Sequence, residues 1–119
     1  MRLGGGIVKA YNDPEEWILR VKELGYSAAV SPINTGASKE EIAAYRDIAK
    51  QNDVIIAEVG AWSNPVSPDD NTKKQALQYI KNQLALADEI GANCCVNICG
   101  ARGEVWDGFY SDNYTKDTY

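Results

Sequence analysis

Residues 54–60 read VIIAEVG, an apolar run that is interrupted only by the carboxylate of Glu58. A continuous apolar run is typical of a β-strand that is covered on both faces, as in parallel sheets. Residues 93–98, NCCVNI, have the same character. Two weaker runs precede them: residues 3–9 are rich in glycine, and residues 28–31 contain little more than AAV. The sequence therefore predicts four strands at these positions.

The segments between these strands carry the start and stop signals of three helices. Asp13 predicts the N-cap of the first helix, and Gly25 predicts its left-handed end. Ser38 and Glu41 form the capping box of a second helix that ends near residue 52. A third, longer helix begins within residues 67–70 and ends at Gly91. Its predicted apolar stripe consists of Ala76, Leu77, Ile80, Leu84, Ala87 and Ile90.

This order, β-α-β-α-β-α-β, predicts an α/β fold with parallel strands joined by right-handed crossovers. The strands start near residues 3, 28, 54 and 93, which are 25, 26 and 39 residues apart. A (β/α)8 barrel averages about 31 residues per unit. We therefore predict one domain, residues 1–119, that forms about four β/α units, the first half of a TIM barrel. Residues 115–117 are expected to begin a fourth helix. The alternative is a small open flavodoxin-like sheet.

The amino-acid composition excludes several classes of function. The 119 residues carry 12 Lys and Arg against 17 Asp and Glu, and the net charge of −5 disfavours binding to nucleic acid or to acidic membranes. The chain contains no histidine. Catalytic triads, histidine-containing zinc sites and HExxH chemistry are therefore excluded within this sequence.

The cysteines and the amino terminus predict the cellular compartment of the protein. No run of about 18 apolar residues is present, and residues 1–6 lack the apolar segment of a signal peptide. Cys94, Cys95 and Cys99 are odd in number and crowded onto one segment, unlike a secreted disulfide framework. A zinc site would need a second, separate pair of ligands. We predict a soluble, cytoplasmic protein with reduced thiols.

Glu58 is the most informative single residue, because ligands of parallel α/β folds meet the carboxyl ends of the strands. Strand alternation predicts that Glu58 faces the same side as Ile56 and Gly60. An unpaired carboxylate in such a strand is costly, so it is expected to have a partner or a task. A substrate-binding role and a structural ion pair, for example with Lys9, both remain open.

Two further positions follow the third and fourth strands. Trp62 offers an aromatic plate beside the hydroxyl and amide groups of Ser63 and Asn64, a mixture that suits sugars; the alternative is a core side chain that plugs the barrel mouth. Asn97 shares a strand face with Cys95. It is a candidate substrate hydrogen-bonder, or alternatively a cap of neighbouring backbone groups.

The loop of residues 100–108, GARGEVWDG, follows the fourth strand and is rich in charge, glycine and tryptophan. Loops of this composition at the top of a barrel often act as lids or substrate walls. Arg102 is a candidate for an anionic group and Glu104 for a hydroxyl, and a solvated turn is the alternative. No histidine is present to activate a cysteine nucleophile.

Two stretches resemble a known family. Residues 57–65, AEVGAWSNP, lead into a helix start, and residues 84–92, LALADEIGA, lead into CCVNICG at 94–100. Together they resemble the amino-terminal half of the sugar phosphate isomerase/epimerase family, the xylose-isomerase-like TIM barrels. The resemblance covers nearly the whole chain. Within this group, the sequence also resembles a narrower branch, the large subunits of C-glycoside deglycosidases.

The resemblance implies a divalent metal, manganese, magnesium or a similar ion, and proton transfer next to a sugar carbonyl. The family's metal ligands come from later strands, so no catalytic or metal-binding residue is assigned in this chain, which is expected to be inactive alone. Related DNA-repair endonucleases use histidines of the first half and are disfavoured. The positions implied to contact substrate are Glu58, Trp62, Asn97, Glu104 and Trp106.

The expected ligand is a small sugar or glycoside, with no nucleic acid and no membrane as partner. A half-barrel leaves two strand edges and an apolar interior uncovered, which favours self-association or a missing carboxyl-terminal half. Two other functions stay open. One is a C-glycoside deglycosidase subunit acting on oxidised glycosides, and the other is a non-catalytic sugar-binding or half-barrel assembly module.

Overall fold

The four strands form one sheet whose order follows the sequence, β1-β2-β3-β4, and every neighbouring pair is parallel. The computed structural model describes residues 1–118. Its strands and helices alternate along the chain: β1 (Gly4–Gly5), α1 (Pro14–Glu23), β2 (Ala28–Val30), α2 (Lys39–Gln51), β3 (Ile55–Ala61), α3 (Asp70–Ile90) and β4 (Cys94–Asn97). Two short 3-10 helices follow, Ser111–Tyr114 and Lys116–Thr118. The α/β prediction with parallel strands is confirmed.

The sheet order also decides between the two predicted architectures. A flavodoxin-like sheet places its first strand between the second and third, and it carries helices on both faces. Here the order is sequential, and a single core cluster packs side chains of α1, α2 and α3 against β2 and β3. Sequential order with helices on one side is the arrangement of a barrel segment. The flavodoxin-like alternative is therefore wrong.

The helix ends follow the predicted signals. Asp13 and Ser38 accept hydrogen bonds from the N–H groups of Glu16 and Glu41 at 2.7 and 3.1 Å. The third helix is capped by Asp69, which accepts from an N–H of the first turn at 2.7 Å. Gly91 ends α3 with φ of 74°, a left-handed conformation that costs glycine little.

The predicted stripe of α3 is partly wrong. Leu77 and Leu84 are 42% and 53% exposed, whereas Gln83 is completely buried. The buried positions are Ala76, Gln83, Leu86, Ala87 and Ile90. The helix is turned so that the row through Gln83 contacts the sheet, and the two leucines lie on the outer flank.

Two predicted elements differ in the structure. The first strand contains only Gly4–Gly5 rather than residues 3–9. Gly4 approaches β2 so closely that a Cβ would lie 2.5 Å from the carbonyl carbon of Ala28, so only glycine fits here. The predicted fourth helix is also wrong, because its residues form the 3-10 helix Lys116–Thr118. Within residues 1–118, no helix is both long and apolar enough to cross a membrane.

A bulge in β3 changes which side chains share a face. Ala29 pairs with Ile56, but the next residue, Val30, pairs with Glu58, so Ala57 is extra in the ladder. Ile56 is 4% exposed and belongs to the helix-covered core, whereas Glu58 is half-buried. The prediction that Glu58 and Ile56 face the same side is therefore wrong.

Candidate functional site

Glu58 lies on the face of the sheet that the helices leave open. On this face a shallow groove of about 370 Å³ runs across β1, β2 and β3, and Gly4, Val30 and Glu58 are among the residues that line it. Within residues 1–118 the carboxylate of Glu58 has no hydrogen bond or ion pair. Lys9 instead pairs with Glu23, with 3.3 Å between Nζ and Oε2. The interpretation of Glu58 as the ion-pair partner of Lys9 is wrong.

Gly60 separates Glu58 from Trp62 along the same strand face. A Cβ on Gly60 would lie 3.1 Å from Cε2 of Trp62, so the indole folds back over the glycine. Trp62 is 53% exposed and does not belong to the core formed by the described residues. An aromatic surface is therefore accessible at the carboxyl end of β3 in this chain, and sugar stacking and the plug of a complete barrel both stay predictions for Trp62.

Asn97 lies on the other side of the sheet. The register pairs it with Ala61, which is completely buried, while Glu58 pairs with Cys94. Paired residues of parallel strands point to the same face, so Asn97 faces away from Glu58. The thiol of Cys95 shares the side of Asn97 and packs against the core, where burial raises its pKa.

The loop after β4 is fastened to the loop after β3 by one amide. Nδ2 of Asn64 donates to the carbonyl oxygen of Ala101 at 2.8 Å, and Oδ1 accepts from the N–H of Ala101 at 3.0 Å. Ala101 is 1% exposed. This reciprocal pair holds the following residues, 102–108, at the same end of the sheet as Trp62. The sequence pattern does not predict this clamp, because Asn64 and Ala101 are 37 residues apart.

Glu104 and Trp106 lie on this loop and are both exposed. The hydroxyl of Tyr110 accepts a hydrogen bond from the N–H of Val105 at 3.0 Å, which orders the turn between them. Arg102 donates its backbone N–H to Asn113 at 2.7 Å. The structure therefore gives the loop a defined internal framework, while the lid or wall role of Glu104 and Trp106 stays a prediction.

Gln83 is the feature of this end of the sheet that the sequence reasoning missed. Its buried amide nitrogen donates to the carbonyl oxygen of Gly60 at 2.6 Å and lies 3.1 Å from Oδ1 of Asn34 and from the hydroxyl of Tyr79. Its oxygen accepts from the N–H of Thr35 at 2.8 Å. The signal was available, because Gln83 interrupts the apolar row formed by residues 76, 80, 87 and 90.

The described residues do not supply a metal site. Within residues 1–118, no three His, Cys, Asp or Glu side chains come together in a group that could hold an ion.

The fold and the position of this site define the chain as a segment of a parallel (β/α) barrel. No protein-family model and no curated protein matches the sequence. Among solved structures, the chain is similar to D-psicose 3-epimerase, crystallised in the presence of D-fructose, with a TM-score of 0.70 and 18% sequence identity. The alignment covers 99% of this chain and 43% of the epimerase, so the chain spans less than half of that structure's length. At this identity the likeness establishes the fold and does not single out the C-glycoside branch.

Proposed function

We propose that this chain is the substrate-binding, amino-terminal part of a sugar isomerase or epimerase barrel. The observation that carries the proposal is the row Glu58–Gly60–Trp62 on the open face, which runs from the middle of β3 to the residue after its carboxyl end. Catalytic groups of (β/α) barrels cluster at this end. The likeness in fold to an epimerase supports the same function class.

Each residue of the row has a distinct task in this proposal. The unpaired carboxylate of Glu58 accepts hydrogen bonds from sugar hydroxyls, which are strong because the acceptor is charged. Gly60 leaves room between the carboxylate and the indole. Trp62 offers its ring to the C–H face of the sugar. Glu104 and Trp106, on the loop held by Asn64, would form a wall of the pocket.

The remaining parts of the reaction are proposed to lie outside this sequence. The divalent metal and the carboxylates that move the proton would be supplied by the other part of the barrel, as the resemblance to the isomerase/epimerase family implies. We derive no metal-dependent step from the residues present. The open edges of β1 and β4 would be covered by a carboxyl-terminal half or by self-association. We also propose a cytoplasmic location with reduced thiols.

The test is a titration of the 119-residue chain with D-fructose, followed by NMR of the backbone and indole N–H groups. We expect Glu58→Gln to weaken binding about tenfold, the cost of exchanging a charge-assisted hydrogen bond for a neutral one. The matched control is Glu89→Gln, an exposed carboxylate near the end of α3, which should leave binding unchanged.

A second measurement tests whether the chain is inactive without the other part of the barrel. The chain alone, with Mn²⁺ added, is expected to show no epimerisation of D-fructose. Unchanged affinity in Glu58→Gln, or turnover by the chain alone, would contradict the proposal.

A further inference from the structure

The hydrogen-bond ladder between β2 and β3 stops before the carboxyl end of β3. Its last main-chain bond runs from the N–H of Ser31 to the carbonyl oxygen of Glu58 at 2.8 Å. Bonds of a parallel ladder recur at every second residue, so the next donor in line is the N–H of Ile33 and the next acceptor is the carbonyl oxygen of Gly60. The N–H of Ile33 instead lies 3.4 Å from Oγ of Ser31. The main chain that follows β2 therefore leaves this carbonyl oxygen without its ladder donor.

The side-chain amide of Gln83 occupies the empty place in the ladder. Its nitrogen donates to the carbonyl oxygen of Gly60 at 2.6 Å, and its oxygen accepts from the N–H of Thr35 at 2.8 Å. An amide side chain presents a donor and an acceptor, as a peptide unit does, so it can act in place of a strand residue. Gln83 has no surface exposure, and water therefore does not compete for these two bonds.

The bond to Gly60 matters for the open face because this glycine lies between the two proposed site residues. The carbonyl belongs to the rigid peptide unit that follows Gly60. A Cβ on Gly60 would lie 3.1 Å from Cε2 of Trp62, so a rotation of this peptide unit would move the backbone under the indole. It would also change the distance between the indole and the carboxylate of Glu58. The amide of Gln83 therefore fixes the geometry of the row.

The same amide also contacts a third segment, the loop of residues 31–38 that joins β2 to α2. Besides its bond to Thr35, Gln83 places Nε2 3.1 Å from Oδ1 of Asn34. This loop follows the carboxyl end of a strand, the end at which (β/α) barrels bind their ligands. One buried side chain of α3 therefore joins the end of β3 to the neighbouring loop. Such support decides how accurately the groups that touch a ligand are held.

We propose that Gln83 is a positioning residue for the sugar site, whose amide replaces a strand residue beside the end of β3 and holds Gly60 and Trp62 in the arrangement that binds a sugar. The inference rests on the proposed function, because it assigns Gln83 to that same site. Gln83 itself touches no sugar in this assignment. Its effect on affinity passes through the carbonyl group of Gly60.

The first measurement needs no ligand. In ¹⁵N-labelled Gln83→Leu, the indole N–H signal of Trp62 is expected to shift, and the N–H of Thr35 is expected to exchange with solvent about fivefold faster, the value of one hydrogen bond. The control is Ile90→Val, which removes one methylene from a buried side chain at the other end of α3. It lowers stability without touching the row, and both signals should stay as they are in the unmodified chain.

The second measurement is the affinity for D-fructose, taken at a temperature at which circular dichroism shows every variant to be folded. Gln83→Leu is expected to bind D-fructose about fivefold more weakly than the unmodified chain. Ile90→Val is expected to bind it with unchanged affinity. A role of Gln83 in stability alone would leave the affinity of both folded variants unchanged.

Gln83→Glu keeps the shape of the side chain and makes its donor depend on pH. A protonated carboxyl group can donate to Gly60 and accept from Thr35, whereas an ionised carboxylate can only accept. The dissociation constant of the variant is divided by that of the unmodified chain at each pH, which removes any pH dependence that the two proteins share. This ratio should be about 1 at low pH and rise about fivefold as the introduced group loses its proton.

Three results would overturn the inference: unchanged Trp62 and Thr35 signals in Gln83→Leu, D-fructose affinity in Gln83→Leu equal to that of the unmodified chain, or a Gln83→Glu ratio that does not vary with pH. An equal loss of affinity in Ile90→Val would have the same meaning. If the unmodified chain binds no D-fructose, the proposed function fails. The ligand-free measurement then decides by itself whether Gln83 holds the row.

Discussion

Replacement of Gln83 by leucine tests whether one buried amide holds the carboxyl end of β3 in place. Leucine has a similar volume but forms no hydrogen bond. The carbonyl oxygen of Gly60 then loses its 2.6 Å donor, which costs about 2 kcal/mol for a buried acceptor left unpaired. The N–H of Thr35, in an exposed residue, can reach water and loses about 1 kcal/mol.

The other two partners of Gln83 contribute little to this sum, because Asn34 is exposed and Tyr79 is half-buried. The apolar side chain of leucine regains about 1 kcal/mol on burial relative to glutamine. The expected net loss is therefore about 2 kcal/mol. This is a substantial part of the free energy of unfolding of a small domain, which is about 5–15 kcal/mol.

The assay is urea unfolding followed by far-UV circular dichroism and by tryptophan fluorescence, to which the buried Trp17 contributes. With a slope of about 1.3 kcal/mol per molar urea, the midpoint of Gln83→Leu should fall by about 1.5 M. The control Gln78→Leu, on the exposed face of the same helix, should shift the unfolding free energy by less than about 0.5 kcal/mol. A midpoint for Gln83→Leu equal to that of Gln78→Leu would refute the reasoning.

Gln83→Glu adds a pH dependence of known sign. Burial and the nearby Gly60 carbonyl raise the pKa of an introduced carboxyl above its unfolded value. The variant is therefore most stable when this group is protonated, and it loses stability as the pH rises through the folded pKa. A Gln83→Glu variant that became more stable with rising pH, relative to the unmodified chain, would contradict the placement of the amide beside the carbonyl.

Three further predictions address the helix caps, the strand starts and the thiols. Ser38→Ala should lower the free energy of unfolding by about 1 kcal/mol in thermal or urea denaturation, because an N–H of α2 loses its cap; no loss would mean that the cap is replaced by water. The ion pair with Arg2 lowers the pKa of Asp53 below its ordinary value of 3.8, so its contribution to stability is present above that pH and is lost as the pH falls through the folded pKa. Asp53→Asn should therefore flatten the acid limb of the stability curve, and an unchanged limb would exclude this contribution. Iodoacetamide should modify the exposed Cys99 faster than Cys95, whose burial raises its pKa. The order of modification is read by mass spectrometry of the digested chain. Faster modification of Cys95 would contradict its packing against the core.

The site residues differ in how far their positions follow from the sequence. The sequence predicts Glu58 within an apolar strand and Trp62 in the loop that follows it, and the structure has Glu58 at the middle of β3 and Trp62 directly after its last residue. Asn97 was selected near the end of the fourth strand, but the pairing of β4 with β3 turns it to the other side. Position along a strand was predictable, and the face was not.

The sequence by itself determined the alternation of strands and helices and the residues that cap the helices. These features depend on interactions within one or two helical turns, such as the hydrogen bond that Ser38 accepts from an N–H three residues away. The local sequence therefore encodes them. Tertiary structure alone decided the bulge at Ala57, the side on which Glu58 and Asn97 lie, and the burial of Gln83 between three segments. Those outcomes depend on hydrogen bonds between residues 23 to 49 positions apart, whose pairing no local pattern encodes.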